Sequence, residues 1–283
     1  MVTRKALIVG INLYKLPAGP NLKGCVNDAQ NVAYTLNALG IVPATPKTMK
    51  IITDANATKA NIMDGLAWLI KGAKKGDVLV YYHSGHGTQY ADIEGEEIDH
   101  KDEALCPNDI VTAGAIRDDD LRKVFSKLTA GANLEVIVDT CHSGTVTRNF
   151  SPDGAANPGT TRSRYMNPPL DFGFFMDSTP TIPTRKLLAR EPGEKVIALA
   201  DINHVLWAAC QDNQTSEEGL FEGKNQGAFT FCFCKLVRAH YSTGITRAQL
   251  DGLVGQCVKK KLKMNQTPQL EGTKDTMNEK VFT

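Results

Sequence analysis

The chain has 283 residues, a formal net charge of +1, and 42% hydrophobic against 22% charged residues. This is the balance of an ordinary globular protein, long enough for one large α/β domain or two small ones. It supplies no field to attract nucleic acid or anionic lipid, and no apolar run approaches the roughly 20 residues of a membrane span.

Arg4-Lys5 and the apolar run Ala6–Ile11 open the chain. The run stops at Asn12 without a small-residue cleavage site, so it reads as a first buried strand rather than a leader. Met49–Ile52, Val78–Tyr82 and Val136–Val138 are further short runs rich in Val and Ile, as in the central strands of a parallel sheet. Helical stripes lie between them. Val26, Ala29, Val32, Ala33, Leu36 and Leu39 form one, with Gly40 as its stop. Ile62, Leu66, Leu69, Ile70 and Ala73 form a second within Thr58–Ala73. Leu121, Val124, Phe125 and Leu128 form a third, with Asp118-Asp119-Asp120 in the N-terminal turn, where the helix dipole favours them. Strands alternating with helices predict an α/β fold with a mainly parallel sheet.

Thr145–Gly193 breaks the pattern. It is rich in Pro, Thr, Asn and Asp and reads as a long loop region, with room for short hairpins. Order returns with a strand at Val205–Cys210, an apolar helix at Phe229–Tyr241, and a capping-box helix start at Thr246–Gln249. The seven cysteines include no Cys-x-x-Cys pair. Cys25, Cys210, Cys232, Cys234 and Cys257 read as small packing hydrophobes, and a reducing, cytoplasmic compartment is the expectation.

Two strand ends carry unusual polar residues. The third run leads into His83-Ser84-Gly85-His86-Gly87, and the fourth into Asp139-Thr140-Cys141-His142-Ser143-Gly144. Ligands of parallel sheets bind outside the carboxyl ends of strands, so neighbouring strands would bring His86 and Cys141 to one edge. A thiol there is a ready nucleophile and an imidazole its partner. The backbone N–H groups of Gly87 and Cys141 are the candidate oxyanion hole.

These motifs resemble those of metacaspases and their bacterial relatives among the caspase-like cysteine peptidases. The spacing of His86 and Cys141 is near the roughly 50 residues noted for caspases. Gly24-Cys25-Val26-Asn27-Asp28-Ala29 is similar to the segment supplying a substrate-pocket aspartate. Ala208-Ala209-Cys210-Gln211-Asp212-Asn213-Gln214-Thr215-Ser216 is similar to the segment opening the small-subunit half. The resemblance implies one caspase-like domain over 1–283. Its large-subunit-like part covers about 1–150, its loop region about 145–193, and its small-subunit-like part about 195–283.

It further implies catalysis by Cys141 and His86, with His83 and His142 as neighbours rather than catalysts. Asp28, Asp139, Cys25 and Ser84 become the lining of a pocket for the residue before the cleaved bond. Two carboxylates there select a cation, hence protein or peptide substrates with Arg or Lys. No organic cofactor is required. Calcium is a further expectation, with Asp102, Asp118 and Asp119 at matching ligand positions, although Arg148 stands near the place of the family's further aspartate. The resemblance favours a monomer. Arg162 and Arg164, among neighbours with no strong helix or strand pattern, are the expected sites of self-cleavage in an exposed loop. A non-catalytic caspase-like scaffold, or another Cys-dependent hydrolase using the same dyad, remains an alternative at this point.

Overall fold

The computed structural model describes residues 2–16, 21–91, 101–141, 162–166, 204–211 and 214–283. In chain order its elements begin with β1 (Arg4–Gly10), α1 (Cys25–Ala38), β2 (Met49–Thr53), α2 (Lys59–Ile70) and β3 (Val78–Ser84). There follow β4 (Gly87–Ala91), β5 (Lys101–Leu105), α3 (Ile110–Ala113), β6 (Ile116–Arg117), α4 (Asp118–Phe125), β7 (Asn133–Asp139) and β8 (Arg162–Ser163). The last part holds β9 (His204–Ala208), β10 (Glu217–Phe221), β11 (Lys224–Gly227), α5 (Ala228–His240), α6 (Arg247–Gln256), β12 (Gln269–Glu271) and α7 (Lys274–Asn278).

The main sheet runs in the order β12-β9-β7-β3-β1-β2. It is parallel throughout except for β12, which pairs antiparallel with β9. Both faces of the sheet are covered, so its central strands have no polar side. Ala6, Ile8, Val80 and Tyr82 pack into one core under α1, α5 and α6. Leu7, Val9, Leu79 and Tyr81 alternate into a second core under α2 and α4. A buried polar hub stands between the sheet and α6. Glu135 on β7 accepts from Trp207 Nε1 at 2.7 Å and from Arg247 Nε at 2.6 Å.

Local chemistry sets the ends of the helices. Thr58 caps α2 by accepting from Asn61 N, and Thr246 with Gln249 forms the capping box of α6. Gly40 follows α1 at φ +67°, which an L side chain rarely adopts. Gly10 lets α1 approach β1, because a Cβ there would run into the Cys25 carbonyl oxygen. That close approach carries the first turn of α1, with Asp28, up to the carboxyl end of the sheet.

Two expectations are corrected. Cys232 on α5 and Cys257 just after α6 are not separate packing thiols but are joined in a disulfide. Arg162-Ser163, expected in a loop, is a strand paired antiparallel with Glu217-Glu218 of β10, because its partners complete a sheet its own residues do not announce. The rest of the expected loop region, with Arg148, and His142 lie outside the described residues.

Candidate active site

The parallel register of β3 and β7 sets Ser84 beside Asp139, so both strands end at the same level. His86 and Cys141 follow two residues beyond these ends, and both are buried. His86 is held through its backbone and its ring. Its N–H donates to the Tyr14 hydroxyl at 2.7 Å, its carbonyl accepts from Cys106 N at 3.0 Å, and its ring lies 5.1 Å from that of Tyr14. The Cys141 thiol meets Ser216 of the later half of the chain. Sγ accepts from Ser216 N at 2.6 Å and donates to Ser216 O at 3.0 Å.

The four residues expected to line the substrate pocket come together around one side chain, and it belongs to the same chain. Arg164 is 0% exposed. Its Nη2 donates to Asp28 Oδ2 at 2.6 Å, and its Nη1 donates to Ser84 Oγ at 2.8 Å. Nη1 also lies 2.9 Å from Asp139 Oδ1 and 2.9 Å from the Asp139 carbonyl oxygen. A third carboxylate, Glu218, stands 3.7 Å from Nη2. Burial pushes the Cys25 thiol well up, against the pull of this guanidinium. Charges taken this far out of water are tolerated only when paired and hydrogen-bonded, as these are.

The carboxylates are themselves fixed by groups from the later half. Asp28 accepts Gly227 N at 2.9 Å on Oδ1. Asp139 accepts the Ser216 hydroxyl on Oδ1 and the Thr230 hydroxyl on Oδ2, each at 2.6 Å. Glu218 is anchored by the N–H groups of Lys23 and Gly24, both at 2.8 Å. A Cβ on Gly227 would collide with Asp139 Oδ2 and crowd both Arg164 nitrogens, so the pocket requires glycine there. Burial raises the Asp28 carboxyl to about 7, opposed by Arg164 and reinforced by Asp139.

The backbone of the same segment is engaged as closely. Gly87 N donates to the Arg164 carbonyl oxygen at 3.0 Å, Arg164 N donates to Ser216 O at 3.1 Å, and Met166 N donates to Gly87 O at 2.9 Å. Arg164 is therefore not the exposed loop residue that its neighbours suggest.

Sequence reasoning missed Ser216, Glu218, Gly227 and Thr230. Ser216 closes a segment the resemblance had marked, but Glu218 and Gly227 sit in a polar hairpin without any motif. Asp118 Oδ2 and Asp119 Oδ1 both bind the Arg122 guanidinium, at 3.0 and 2.7 Å, and Asp102 lies on β5 opposite Tyr90. Among the described residues no group of three His, Cys, Asp or Glu side chains is placed to hold a metal. The paired aspartates do not fit a calcium ion as they stand, since the cation would have to displace Arg122.

The fold is that of the caspase-like proteins. Caspase-1 from Spodoptera frugiperda shares it at 15% identity and a TM-score of 0.57, over 96% of this chain and 86% of that one. A crystal structure of a protein from Geobacter sulfurreducens is nearer, at 26% identity and a TM-score of 0.68 over 99% of this chain and 98% of that one. The family model for the metacaspase, peptidase C14 domain matches residues 4–149. Metacaspase-1A of Aspergillus oryzae is 31% identical over 83% of this chain, and Metacaspase-1A of Aspergillus niger is 32% identical over 83%. The chain belongs to the metacaspase family. It spans 60% and 62% of the length of those two relatives. Among the described residues no helix is long and apolar enough to cross a membrane.

Proposed function

We propose that the chain is a cysteine endopeptidase that cleaves peptide bonds after Arg or Lys through an acyl-enzyme on Cys141. The observation that carries this reading is the seating of Arg164. A guanidinium fills a pocket of three carboxylates while the carbonyl of the same residue receives the Gly87 N–H. Side-chain recognition and carbonyl polarisation thus meet on one residue, as a peptidase requires of the residue before the cut.

In the proposed reaction the Cys141 sulfur attacks the substrate carbonyl. The developing oxyanion is held by the N–H groups of Gly87 and Cys141. His86 takes the thiol proton and delivers it to the departing amine. Water then hydrolyses the thioester and restores the thiol. Tyr14 fixes the backbone of His86 and so aims the imidazole. Asp28, Asp139 and Ser84 bind the cation, with Cys25 beside them, and Arg is favoured over Lys because its fork reaches two carboxylates at once.

Protein and peptide substrates, a monomeric state and a cytoplasmic setting belong to the same proposal. The five free cysteines support a reducing compartment, and the Cys232–Cys257 bridge weighs against it. Calcium stimulation is proposed only as an exchange at Asp118 and Asp119, in which calcium releases Arg122; no step of the acyl transfer runs through the ion. Fluorogenic peptides ending in Arg, Lys or Asp test the reading. Release from the Arg and Lys peptides but not the Asp peptide is expected. Equal release from the Asp peptide, or none from any, rejects it in favour of another hydrolase or a scaffold.

A further inference from the structure

We infer that Cys210 is a resolving thiol for Cys141: once hydrogen peroxide has oxidised Cys141, the two sulfurs close a Cys141–Cys210 disulfide that silences the site reversibly. The inference goes beyond the peptidase reading, because it depends on the neighbourhood of two sulfurs and not on the cleavage of any peptide bond.

The sheet brings the two cysteines together. β7 and β9 are neighbouring parallel strands, with Val138 paired to Ala208 and Ala209 N donating to Val138 O at 3.0 Å. Carrying that register two residues further sets Cys210 level with Thr140, one residue short of Cys141. Cys210 Sγ lies 3.7 Å from the Thr140 carbonyl oxygen, on the peptide bond that leads into Cys141. Both sulfurs also meet one short segment of the later half. Cys210 Sγ lies 3.4 Å from Gln214 O, and Cys141 Sγ lies 2.6 Å from Ser216 N. The two thiols share a hydrogen bond. Cα atoms one residue out of step on adjacent strands are roughly 6 Å apart, within the span of a disulfide.

A buried cysteine is by default a small hydrophobe, and its neighbours decide whether it is more. Cys25 stands with Ser84 and Arg164, Cys234 stands with Thr35 and Arg238, and Cys232 and Cys257 are already joined. Cys210 has the nucleophile itself as its neighbour. The hydrogen bond with Cys141, and burial after it, push the Cys210 thiol well up, which keeps it protonated and out of the acyl transfer. Oxidation of Cys141 removes the first of those causes, so Cys210 gains reactivity as the sulfur beside it turns electrophilic. Both residues are buried, which favours a small oxidant such as hydrogen peroxide over a bulky disulfide.

The electrons balance with peroxide as the oxidant. A bond forms from Cys141 Sγ to one peroxide oxygen, the O–O bond breaks, and the other oxygen leaves as water with the Cys141 thiol proton. Cys210 Sγ then attacks Cys141 Sγ, the S–O bond breaks, and the hydroxyl leaves as water with the Cys210 proton. The two thiols lose two electrons in all, and one peroxide gains them. In the disulfide Cys141 cannot attack a carbonyl, and it is kept from the irreversible sulfinic acid. A dithiol reductant restores both thiols.

The test uses the full chain in two arms. In the first, wild type and Cys141→Ala are treated with stoichiometric hydrogen peroxide, remaining thiols are blocked with iodoacetamide, and unreduced peptides are mapped by mass spectrometry. The expected result is a Cys141–Cys210 linked peptide in the wild type, with Cys210 alkylated in Cys141→Ala. Cys141 recovered as the alkylated thiol, as sulfinic acid, or joined to another cysteine overturns the inference. This arm needs no turnover, so its outcome stands apart from that of the peptidase reading.

The second arm compares wild type with Cys210→Ser, a replacement of nearly the same size that can still donate to Thr140 O and Gln214 O. Both are given excess peroxide and then dithiothreitol. The sulfinic fraction of Cys141 is expected to be at least about fivefold higher in Cys210→Ser, whose oxidised Cys141 meets no second thiol. Activity on an Arg peptide, normalised to each protein's own untreated rate, should recover in the wild type and at least about fivefold less in the variant. Equal sulfinic fractions, or equal recovery, overturn the inference.

Discussion

The Thr230 hydroxyl donates to Asp139 Oδ2 at 2.6 Å, which fastens the first turn of α5 to the last residue of β7. Tyr82 completes the chain, its hydroxyl 2.6 Å from the same Thr230 oxygen. Asp139, two residues before Cys141, is thus held by the later half of the molecule, which the sequence motifs of the earlier half do not reveal.

Thr230→Val tests that fastening. The replacement keeps the shape and removes the hydroxyl, so Asp139 loses a donor and the buried Tyr82 hydroxyl loses a partner. A cost of about 1–3 kcal/mol in stability is expected. KM for Arg peptides should rise severalfold, with kcat changed less. Urea unfolding and steady-state kinetics on one preparation read both.

Asp28→Ala and Asp139→Ala test the acidic pocket. Removing one partner of a buried charge pair costs about 2–5 kcal/mol. The lower figure corresponds to roughly thirtyfold in kcat/KM for an Arg peptide. Asp28→Ala should act on KM more than on kcat, because Asp28 touches the cation and not Cys141. Asp139→Ala should raise KM and lower kcat, since Ser216 binds Asp139 and the thiol alike.

The raised Asp28 carboxyl gives a pH dependence with a definite sign. With a guanidinium in the pocket it stands at about 7, and removing the cation raises it further, because Arg164 is what pulls it down. A cationic ligand prefers the ionised pocket. Its affinity therefore weakens as pH falls from the empty pocket's value toward about 7, and levels below that. Inhibition constants of a reversible Arg peptide, measured on Arg164→Ala across pH 6 to 10, should follow this curve. Asp28→Asn should flatten it, and a flat curve with Asp28 intact would contradict the assignment.

Much of the frame was legible because it is written in burial. The runs at Ala6, Val78 and Val136 are short and apolar on both faces, as covered parallel strands are, whereas Met49–Thr53 is an edge strand and leaves Ile51 exposed. Asp28, Asp139, Cys25 and Ser84 were found through motifs, and they converge. Arg162–Met166 was misread because its strand is imposed by β10 and Gly87 rather than by its own residues. Glu218 and Gly227 lie in a polar hairpin where no periodicity marks a pocket. The Cys232–Cys257 bridge joins two apolar segments whose spacing says nothing of pairing.

Calcium can be tested apart from the chemistry. If it acts by taking Asp118 and Asp119 from Arg122, millimolar calcium should raise peptidase activity, and the Asp118→Ala/Asp119→Ala variant should not respond. Calorimetry without heat up to several millimolar calcium, with full activity in chelator, would leave these aspartates as the ion-paired first turn of α4.

The central claim joins one nucleophile to one specificity, and an affinity label reads both at once. Wild-type and Arg164→Ala proteins are treated with a peptidyl-Arg chloromethyl ketone and, separately, with its Asp counterpart, and the adducts are located by peptide mass mapping. The account predicts a single adduct of the Arg reagent on Cys141, formed faster in Arg164→Ala, and little reaction with the Asp reagent. Modification of Cys25 or another cysteine ahead of Cys141, or equal labelling by the Asp reagent, would contradict it.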